Sequence, residues 1–556
     1  MKVNIVIAGA AGQGLKTLNN ILSKIFFRLG YDIYSTKDYM SRIRGGHNFM
    51  SIRIGDEKIT SSEKEIDLLI ALNSESIEIH KSDIKKDGVI LFDGDKTHDQ
   101  LINIPAKEIA KEIGNRRVSN MAFVGSVLKI LGIDLKEASE IVTHYFDADE
   151  TVAEANIESL EKGYNLLDEK LPLPKVEKND DQILINGNDA VGFGGAIGGV
   201  QFYSAYPMTP STGILNYMAK HSNKMNIAVE QAEDEIAAVN MALGASYGGI
   251  RAMTGTSGGG FALMNETIGL ISLMELPLVI ANVQRPGPAT GMPTRTSQGD
   301  LSFIINSSSG EFPLVVSAPR HQKDAFYQTF KAMNLSEKYQ MPFIILTDQY
   351  LADTKQNFKT FDIDALENKN YYFNNKEKSD VKDFKRYELT QNGISHLTYP
   401  GQLSNSYVIA DSHEHTEYGR ISEDIDVRNK MVEKRQRKFD HFIKEDLEEP
   451  IYKGPENPEH VLISWGSTYS PSLEAIQDFD NIGLLSFNHV WPLPTKKLNE
   501  YAKGSKFIVI ENNSMGQFAK LIRQETCLTI DSQILKYDGR PFTSKEIVNR
   551  IKNEVL

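Results

Sequence analysis

The chain of 556 residues has one cysteine, Cys527, and two tryptophans. A single thiol excludes a disulfide within the chain and the four-thiolate set that holds an iron–sulfur cluster. If the chemistry of this protein includes one-electron transfer, another polypeptide must hold the cluster. Cys527 lies in the β-like run C-L-T-I, which predicts a buried structural thiol and not a nucleophile.

Long apolar runs and long basic blocks are also lacking. No run approaches the roughly 20 apolar residues that a membrane-spanning helix needs. A net charge of −13 argues against nucleic acid or an anionic membrane as the main partner. The chain starts with the strand-like V-N-I-V-I-A and shows no signal peptide pattern, so we expect a cytoplasmic protein. Its length predicts about three globular domains.

Strands and helices alternate at the start of the chain. Residues 3–8 predict a strand and residues 15–29 an amphipathic helix. Between them, the turn G-A-A-G-Q-G contains Gly12, Gln13 and Gly14, and backbone N–H groups at such a helix start can receive a phosphate. A purely structural turn is the alternative, because the spacing matches neither a dinucleotide fold nor a Walker motif. Further strands and helices up to residue 113 predict a small α/β domain with a largely parallel sheet.

A second turn, S-R-I-R-G-G-H-N, precedes an alternating strand at residues 49–54. Its cationic side chains Arg42, Arg44 and His47 are candidates for an anion-binding rim, with solvated loop cations as the alternative. A proline-containing polar stretch at residues 171–181 predicts the first linker.

An acidic cluster, a helix of small residues and a glycine turn follow one another in residues 229–267. Ile236, Val239 and Leu243 recur at helical spacing, which predicts an amphipathic helix after Glu235. Glu235 lies in the first turn, where the helix dipole favours an ionised carboxylate unless burial opposes it. An ordinary acid at a helix start is the alternative. The glycine turn at residues 254–260 lets the backbone approach a ligand closely, with helix capping as its alternative.

Two candidate binding residues are predicted at strand ends. In Y-P-M-T-P-S-T, two prolines hold Thr209 on a stiff loop, although the same residues also suit a helix cap. Arg285 directly follows the strand at residues 278–283, on the side where Thr209 is expected. A guanidinium binds a carboxylate through two hydrogen bonds and keeps its charge; a surface cation beside a Pro-Gly turn is the alternative. Arg295, in P-T-R-T-S-Q-G-D-L, is a second, weaker candidate.

The rest of the chain predicts a connector and a third α/β domain. Residues 355–450 are polar and dense in charge, and residues 431–445 predict an exposed helix. After them, strands at residues 460–465, 482–487 and 506–511 alternate with helical stretches. The connector contains a group of acids and histidines, namely Asp411, His413, Glu414, His415 and Glu417. Their spacing matches no zinc site, so we favour a solvated or subunit-contacting turn.

These motifs resemble the 2-oxoacid:ferredoxin oxidoreductases. The glycine loop and R-G-G-H are similar to turns of the gamma component, with Ala11 where that family commonly has glycine. Y-P-M-T-P-S-T, E-D-E-I-A, G-T-S-G-G-G and N-V-Q-R-P-G-P-A-T-G-M-P-T follow in the order of the alpha component. Glu235 and Gly244 resemble the E-x8-G pattern of thiamine diphosphate enzymes.

The resemblance implies a fused gamma–alpha subunit, most similar to the 2-oxoglutarate type, with an α/β fold throughout. The expected parts are a gamma-type domain (1–170), a linker (171–185), a pyrimidine-binding domain (186–354), an extended connector (355–450) and a transketolase C-terminal-like domain (451–556). The implied reaction oxidatively decarboxylates a 2-oxoacid with coenzyme A and reduces ferredoxin. The diphosphate motif, G-D-G followed by N-N, is lacking. We therefore expect Mg²⁺ and a [4Fe-4S] cluster on a separate beta subunit and no metal on this chain.

The resemblance also implies roles for individual residues. Glu235 hydrogen-bonds the aminopyrimidine of thiamine diphosphate and so drives ylid formation, with Glu233 and Glu230 as rivals. Thr209 and Arg285 bind the 2-oxoacid, and Arg295 is the weaker candidate. The remaining expected cofactor contacts are Tyr206, Pro207, Thr256 and Ser257. The candidate anion or coenzyme A site comprises Gly12, Gln13, Gly14, Arg44 and His47.

Three questions stay open at the level of the sequence: the identity of the 2-oxoacid, binding of coenzyme A by the gamma domain, and heterodimer versus heterotetramer. An alternative function is that of a non-catalytic nucleotide-binding or scaffold protein, with the glycine loop as its ligand site.

Overall fold

The computed structural model describes residues 1–41, 45–95, 98–146, 150–373, 383–403 and 406–556. Contacts between residues divide the chain into two units. The first contains Met1–Ile185, Thr354–Thr360 and Thr543–Lys545, and the second contains Asn186–Asp353, Phe361–Phe542 and Glu546–Leu556. Among the described helices, none has the length and apolar character that crossing a membrane requires.

An eight-stranded sheet forms the centre of the first unit. Its strands are β1 (Lys2–Ala11), β2 (Asp32–Asp38), β3 (Gly45–Gly55), β4 (Ile66–Ala71), β5 (Ile84–Phe92), β6 (Leu101–Asn103), β7 (Gln182–Asn186) and β14 (Lys355–Lys359). Their order is β6-β5-β4-β1-β3-β2-β14-β7. The end of the predicted linker (171–185) and the start of the predicted connector (355–450) thus provide the two strands β7 and β14 at one edge of this sheet.

The predicted parallel arrangement is confirmed for one half of this sheet and wrong for the other. β1, β4, β5 and β6 pair in parallel, whereas β3 is antiparallel to β1 and β2, and β14 is antiparallel to β2. The link between β2 and β3 is too short to hold a crossover helix, so β3 returns antiparallel beside β2.

The described residues of the first unit form six α-helices: α1 (Leu15–Arg28), α2 (Ser74–His80), α3 (Ala106–Glu112), α4 (Ser119–Ile130), α5 (Leu135–Tyr145) and α6 (Glu150–Tyr164). A 3₁₀ turn at Arg116–Val118 precedes α4. The predicted apolar face of α1, with Leu18, Leu22 and Ile25, is buried in the core of the unit.

A seven-stranded sheet carries the candidate site in the second unit. Its strands are β8 (Phe202–Ala205), β9 (Ala228–Gln231), β10 (Ala252–Thr256), β11 (Leu278–Gln284), β12 (Val315–Ser317), β13 (Pro342–Asp348) and β18 (His489–Trp491). Their order is β18-β12-β13-β11-β10-β8-β9, and every pair except β12–β18 is parallel. The carboxyl ends of β9, β8, β10 and β11 therefore lie side by side at one edge.

In the part of the second unit that the structure describes, eight helices accompany these strands: α7 (Gly187–Ile197), α8 (Thr212–Met225), α9 (Glu235–Tyr247), α10 (Gly258–Leu263), α11 (Asn265–Leu273), α12 (Leu301–Ile305), α13 (Gln322–Tyr339) and α14 (Gln349–Asp353). The helix predicted after Glu235 is confirmed as α9. Val239 and Leu243 are buried, but Ile236 is 50% exposed. Apolar side chains thus occupy the exposed side of α9 as well, and the predicted amphipathic character is wrong.

A five-stranded sheet lies near the end of the second unit. Its strands are β15 (Ile451–Lys453), β16 (His460–Trp465), β17 (Ile482–Phe487), β19 (Lys506–Glu511) and β20 (Ser532–Leu535), in the order β15-β17-β16-β19-β20. The remaining helices are α15 (Ile425–Glu445), α16 (Tyr469–Ala475), α17 (Lys496–Tyr501), α18 (Gln517–Thr526) and α19 (Ser544–Glu554). One apolar core contains residues of both sheets of this unit, such as Ile280 and Trp465. The predicted α/β fold class is confirmed.

The predicted exposed helix of the connector, α15, is packed into the second unit. Phe442 is buried, and the ammonium groups of Lys434 and Lys438 donate to the two carboxylate oxygens of Glu275 at 2.6 and 2.7 Å. The prediction is wrong because these lysines have a buried acceptor on a distant segment, which the local charge pattern does not reveal.

The acid and histidine group of the connector is a folded turn. The ring nitrogens of buried His415 lie within hydrogen-bond distance of the carbonyls of Thr416 and Leu273, at 3.0 and 3.2 Å. Glu414 accepts from Arg435 at 2.7 Å. The described residues include no group of three or more side chains that could hold a metal ion. For His415 the prediction of a solvated turn is wrong, because the ring packs within the second unit.

Cys527 is exposed. It ends α18 in the left-handed region with φ 58°, and the following strand, β20, begins at Ser532. The prediction of a buried thiol in a β-run is wrong, because the apolar letters after Cys527 belong to the segment between a helix and a strand.

Candidate active site

Glu235 is the first residue of α9, just beyond the carboxyl end of β9. Asp234 caps the helix, accepting a hydrogen bond from the backbone N–H of Ala237 at 2.7 Å. This cap leaves Glu235 turned inward, with only 3% of its surface exposed, whereas Glu230 and Glu233 are exposed. The geometry therefore favours Glu235 over its two rivals.

One oxygen of the Glu235 carboxyl group lacks a partner in the described part of the chain. Its Oε1 atom is buried without a hydrogen bond, and a buried polar atom of this kind calls for a ligand, water or strain as its explanation. Burial raises the pKa of Glu235, although its backbone N–H and the charge of Arg285 oppose the rise. Burial thus opposes the helix dipole, which by itself favours the ionised form.

The glycine turn after β10 leaves space for this carboxyl group. A Cβ atom on Gly260 would overlap Glu235 Oε1 and Thr256 Oγ1 and lie 2.6 Å from Glu235 Cγ. Only glycine therefore allows α10 to approach Glu235 so closely. Ser257, which precedes α10, has a buried hydroxyl with no hydrogen-bond partner among the described residues.

The loop after β8 contacts both Arg285 and the glycine turn. The guanidinium of Arg285 donates from Nη1 to the carbonyl oxygen of Thr209 at 2.7 Å. Thr256 Oγ1 lies 3.8 Å from the sulfur of Met208 in the same loop. Burial lowers the pKa of Arg285, while Asp300 and Glu235 raise it. Thr209 and Arg285 thus meet at the carboxyl ends of β8 and β11, which β10 separates, and their predicted convergence at one edge of the sheet is confirmed.

The other expected cofactor residues of this loop, Tyr206 and Pro207, lie at its beginning. Tyr206 is 39% exposed and Pro207 is partly buried. Of the loop residues expected to bind cofactor or substrate, Thr209 is the one in hydrogen-bond contact with Arg285.

A cavity of about 720 Å³ opens beside Arg285. The residues that line it come from the glycine turn, the strand end at Arg285, the segment before α12 and loops after β19 and β20; they include Gly258, Arg285, Asp300, Met515 and Tyr537. Arg295 is not among the lining residues. Arg295 lies next to Gly539, which does line the cavity, since a Cβ atom on Gly539 would lie 3.2 Å from Arg295 Cβ.

Asp300 is a site residue that sequence reasoning missed. Its backbone N–H donates to Gln284 at 3.0 Å, and its carboxylate accepts from Asn282 Nδ2 at 3.1 Å. A Cβ atom on Gly258 would lie 2.5 Å from Asp300 Oδ2, so this glycine gives the carboxylate its space. Burial raises the pKa of Asp300 to about 6, against the effects of Asn282 and Arg285. Its only sequence signal is its position in the rim motif, where Q-G-D precedes an apolar segment.

A separate cavity of about 590 Å³ in the first unit is lined by Gly12, Gln13 and Gly14, together with Arg116 and Arg117. Gln13 fixes the turn: its side-chain oxygen accepts from the N–H of Ala10 at 2.6 Å. Both arginines are exposed. Sequence reasoning missed them, although the R-R pair before α4 was a signal.

His47 pairs with a second histidine in the first unit. Its Nε2 atom lies 2.9 Å from Nε2 of His80. Burial lowers the pKa of His47, and burial followed by the neighbouring His47 lowers that of His80 to about 4. Two neutral rings attract an anion poorly, so this geometry does not favour His47 as an anion ligand. Arg42 and Arg44 lie outside the described residues.

Two family models match the chain. Residues 195–434 match the thiamine diphosphate-binding model of pyruvate flavodoxin/ferredoxin oxidoreductases, and residues 4–166 match the model of pyruvate ferredoxin/flavodoxin oxidoreductases. The alpha subunit of a 2-oxoacid:ferredoxin oxidoreductase from a Sulfolobus species is 32% identical over 98% of this chain and 96% of its own length. The 2-oxoglutarate oxidoreductase subunit KorA of Mycobacterium tuberculosis is 27% identical over 98% of this chain and 90% of its own length.

One solved structure matches along its whole length. It is the 2-oxoglutarate:ferredoxin oxidoreductase of Magnetococcus marinus with 2-oxoglutarate, coenzyme A and succinyl-CoA bound. The two chains superpose with a TM-score of 0.92 and 32% identity, covering 100% of each.

Proposed function

Since the chain belongs to the alpha subunits of the 2-oxoacid:ferredoxin oxidoreductases, we propose that it provides the substrate and aminopyrimidine side of a thiamine diphosphate site. The enzyme oxidatively decarboxylates a 2-oxoacid with coenzyme A, giving acyl-CoA and CO₂, and reduces ferredoxin. The full-length similarity to subunits of this enzyme speaks against a non-catalytic scaffold.

The observation that carries the proposal is the buried carboxyl group of Glu235, whose Oε1 has no partner in the described part of the chain. A cofactor ring nitrogen would supply the missing hydrogen bond. The buried hydroxyl of Ser257, which has no hydrogen-bond partner among the described residues, suits the same ring. The residues present thus fit the aminopyrimidine end of thiamine diphosphate, which when bound supplies the carbon nucleophile for the 2-oxo group.

Each residue of the site has a defined task. Glu235 exchanges a proton with the cofactor ring through its carboxyl group, and burial, which raises its pKa, favours its protonated form relative to an exposed glutamate. Arg285 binds the carboxylate of the 2-oxoacid with the guanidinium N–H groups that Thr209 leaves free. Thr209 holds Arg285 in place through its carbonyl, and its hydroxyl lies on the loop that faces the substrate.

The exposed apolar face of α9 suits the binding of a second subunit. Ile236 and Met241 on α9, and Leu263 on α10, are 50%, 43% and 51% exposed. A Cβ atom on Gly244 would meet no atom within 4 Å, so a neighbouring backbone can approach there. A helix that is apolar on all sides is normally buried. We propose that the beta subunit covers this face and supplies the Mg²⁺–diphosphate site and the [4Fe-4S] cluster, for which the single cysteine of this chain is insufficient.

For coenzyme A we propose the cavity at Gly12, Gln13 and Gly14 in the first unit. Backbone N–H groups at the start of α1 and the cations of Arg116 and Arg117 suit its phosphates.

The division at residues 170, 185, 354 and 450 into three domains, a linker and a connector remains our proposal. We also propose a cytoplasmic enzyme, since an exposed free thiol such as Cys527 suits a reducing compartment.

Reconstitution tests the function directly. The chain is co-produced with its beta subunit, and pyruvate, 2-oxoglutarate and 2-oxobutyrate are each supplied with coenzyme A and oxidised ferredoxin. We expect acyl-CoA formation and ferredoxin reduction with at least one acid, 2-oxoglutarate first, and none with this chain alone. An assembled, iron-containing complex that oxidises none of the acids contradicts the proposal.

Arg285→Lys keeps the positive charge but loses the planar fork. We expect kcat/KM for 2-oxoacids to fall about 10-fold to 100-fold, the loss of one or two good charge-assisted hydrogen bonds, with thiamine diphosphate affinity retained. Steady-state kinetics and cofactor titration of the reconstituted complex measure both effects. Arg523→Lys, on the exposed side of α18, is the matched control. Normal kinetics of Arg285→Lys on all three acids rule out Arg285 as the carboxylate partner.

A further inference from the structure

Asp300 and Arg285 share one cavity, and the hydrogen bonds of Asp300 fix its position there. Gln284 accepts from its backbone N–H at 3.0 Å, and Asn282 donates to one carboxylate oxygen at 3.1 Å. Both partners are buried on β11, the strand that leads into Arg285. Asp300 also lines the open cavity, so its carboxylate is held rigidly while facing the space next to the guanidinium.

Few other charges act on this carboxylate. Within the described residues, the nearby α10 and α12 carry no titratable side chain. Tyr537 lines the far side of the cavity. The charged group that acts on Asp300 is Arg285, and Glu235 acts on Arg285 from α9. Without substrate, the guanidinium therefore interacts with Asp300, which lines the cavity, and with Glu235, which is not among the lining residues.

A bound 2-oxoacid changes this balance, since it adds a further carboxylate to the same guanidinium, beside Asp300 at the cavity. Two carboxylates that share a poorly hydrated site do not both stay ionised at neutral pH, because their repulsion favours protonation of one. The substrate acid is intrinsically the stronger of the two and takes the direct contact with Arg285. Asp300 already lies in a buried position where its pKa is raised to about 6, so it is the group that accepts the proton.

We propose that Asp300 is a proton-coupled counter-ion of Arg285, taking up one proton from solvent whenever the 2-oxoacid carboxylate binds. This inference rests on the proposed function, because it assigns the substrate carboxylate to Arg285. Asp300 is then a positioning residue that sets the pH range of substrate binding. Above the pKa of free Asp300, binding includes proton uptake and weakens about tenfold per pH unit. Below that pKa, Asp300 is already neutral and binding is independent of its titration.

The test uses the reconstituted complex and a ligand that cannot react. Calorimetric binding of 2-hydroxyglutarate at pH 7.5, in two buffers of different ionisation enthalpy, gives the number of protons taken up. We expect about one proton per ligand for the natural enzyme and about none for Asp300→Asn. In turnover, KM for the preferred 2-oxoacid should rise about tenfold per pH unit between pH 6.5 and 8 and become flat in Asp300→Asn, with kcat within about threefold.

Two further variants make the result specific. Asp300→Glu keeps a carboxyl group at this position and should therefore keep proton uptake. Asp480→Asn changes an exposed acid on another segment, and it should show the same rise of KM with pH as the natural enzyme. Equal proton uptake by the natural enzyme and Asp300→Asn overturns the inference, as does an unchanged KM slope.

If Asp300→Asn does not assemble, Asn282→Ala decides the question. It removes the hydrogen bond that favours the ionised carboxylate, so the rise of KM should begin at a higher pH; an unchanged onset overturns the inference. Failure of the proposed function is distinct, since it appears as an assembled complex that oxidises no 2-oxoacid at any pH.

Discussion

Glu235→Gln lowers the rate of C2-proton exchange on bound thiamine diphosphate by about 10²-fold or more, the usual contribution of a positioned acid or base. The amide has nearly the same shape, so it fits the space over Gly260 where a Cβ atom would overlap the natural carboxyl group. It cannot exchange a proton with the cofactor, however. We expect overall 2-oxoacid oxidation to fall by at least the same factor while the complex assembles normally.

Glu233→Gln is the matched control for this experiment. Glu233 lies two positions away and is exposed, so its substitution should leave proton exchange within about twofold. Proton exchange is measured by deuterium incorporation at C2 with the reconstituted complex, which separates this step from substrate binding. Unchanged exchange in Glu235→Gln, or a large loss in Glu233→Gln, transfers the role to the neighbouring acid.

Glu275→Gln destabilises the second unit by about 3–5 kcal/mol, the usual cost of removing one partner from a buried ion pair. Glu275 is fully buried between Lys434 and Lys438, and Arg386 donates to its backbone carbonyl at 2.6 Å. Burial opposes its ionisation, but the two lysines outweigh burial and hold the pKa of Glu275 below its usual range. The neutral amide leaves two buried ammonium groups without a counter-charge.

The loss of stability in Glu275→Gln should become smaller as the pH rises. Burial lowers the pKa of Lys434 to about 7, against the attraction of Glu275. A lysine with a lowered pKa in the folded state binds fewer protons than in the unfolded state, so its unfavourable contribution decreases as the pH rises above the folded pKa. The difference in unfolding temperature between Glu275→Gln and the natural protein should therefore be smaller at pH 9 than at pH 6.

Thermal unfolding of the isolated chain measures this effect, with Glu433→Gln on the exposed side of α15 as control. Replacing Glu275, Lys434 and Lys438 together by methionine should recover much of the stability, because apolar side chains of similar volume remove all three buried charges. Equal unfolding temperatures for Glu275→Gln and Glu433→Gln would contradict the proposed anchoring of the connector.

The sequence predicted the elements and residues that depend on local patterns. Short apolar runs predicted parallel strands, and parallel strands have their carboxyl ends at the same edge of a sheet. Thr209 and Arg285 could therefore be expected at one edge. The burial of Glu235 follows from a cap at Asp234 and from space at Gly260, and the motifs contained both residues.

The features that sequence reasoning missed depend on segments that are distant in the chain. Glu275 lies 159 and 163 positions from its two lysines, so the charge pattern of α15 alone suggested solvent. The position of the Asp300 carboxylate depends on a hydrogen bond from Asn282 on β11 and on the space that Gly258 leaves because it has no side chain. Cys527 was misassigned because an apolar run after a helix has the same letters as a strand, while its side-chain exposure depends on the backbone turn.

The hydrogen bond from Arg285 to the carbonyl of Thr209 has a consequence for the entropy of substrate binding. A free arginine side chain loses about 2 kcal/mol of rotamer freedom when a ligand immobilises it. Here the folded loop already restricts the guanidinium, because one of its N–H groups is bound at 2.7 Å. The ordering cost therefore falls on folding and not on each catalytic cycle, and the arginine meets every incoming acid preorganised.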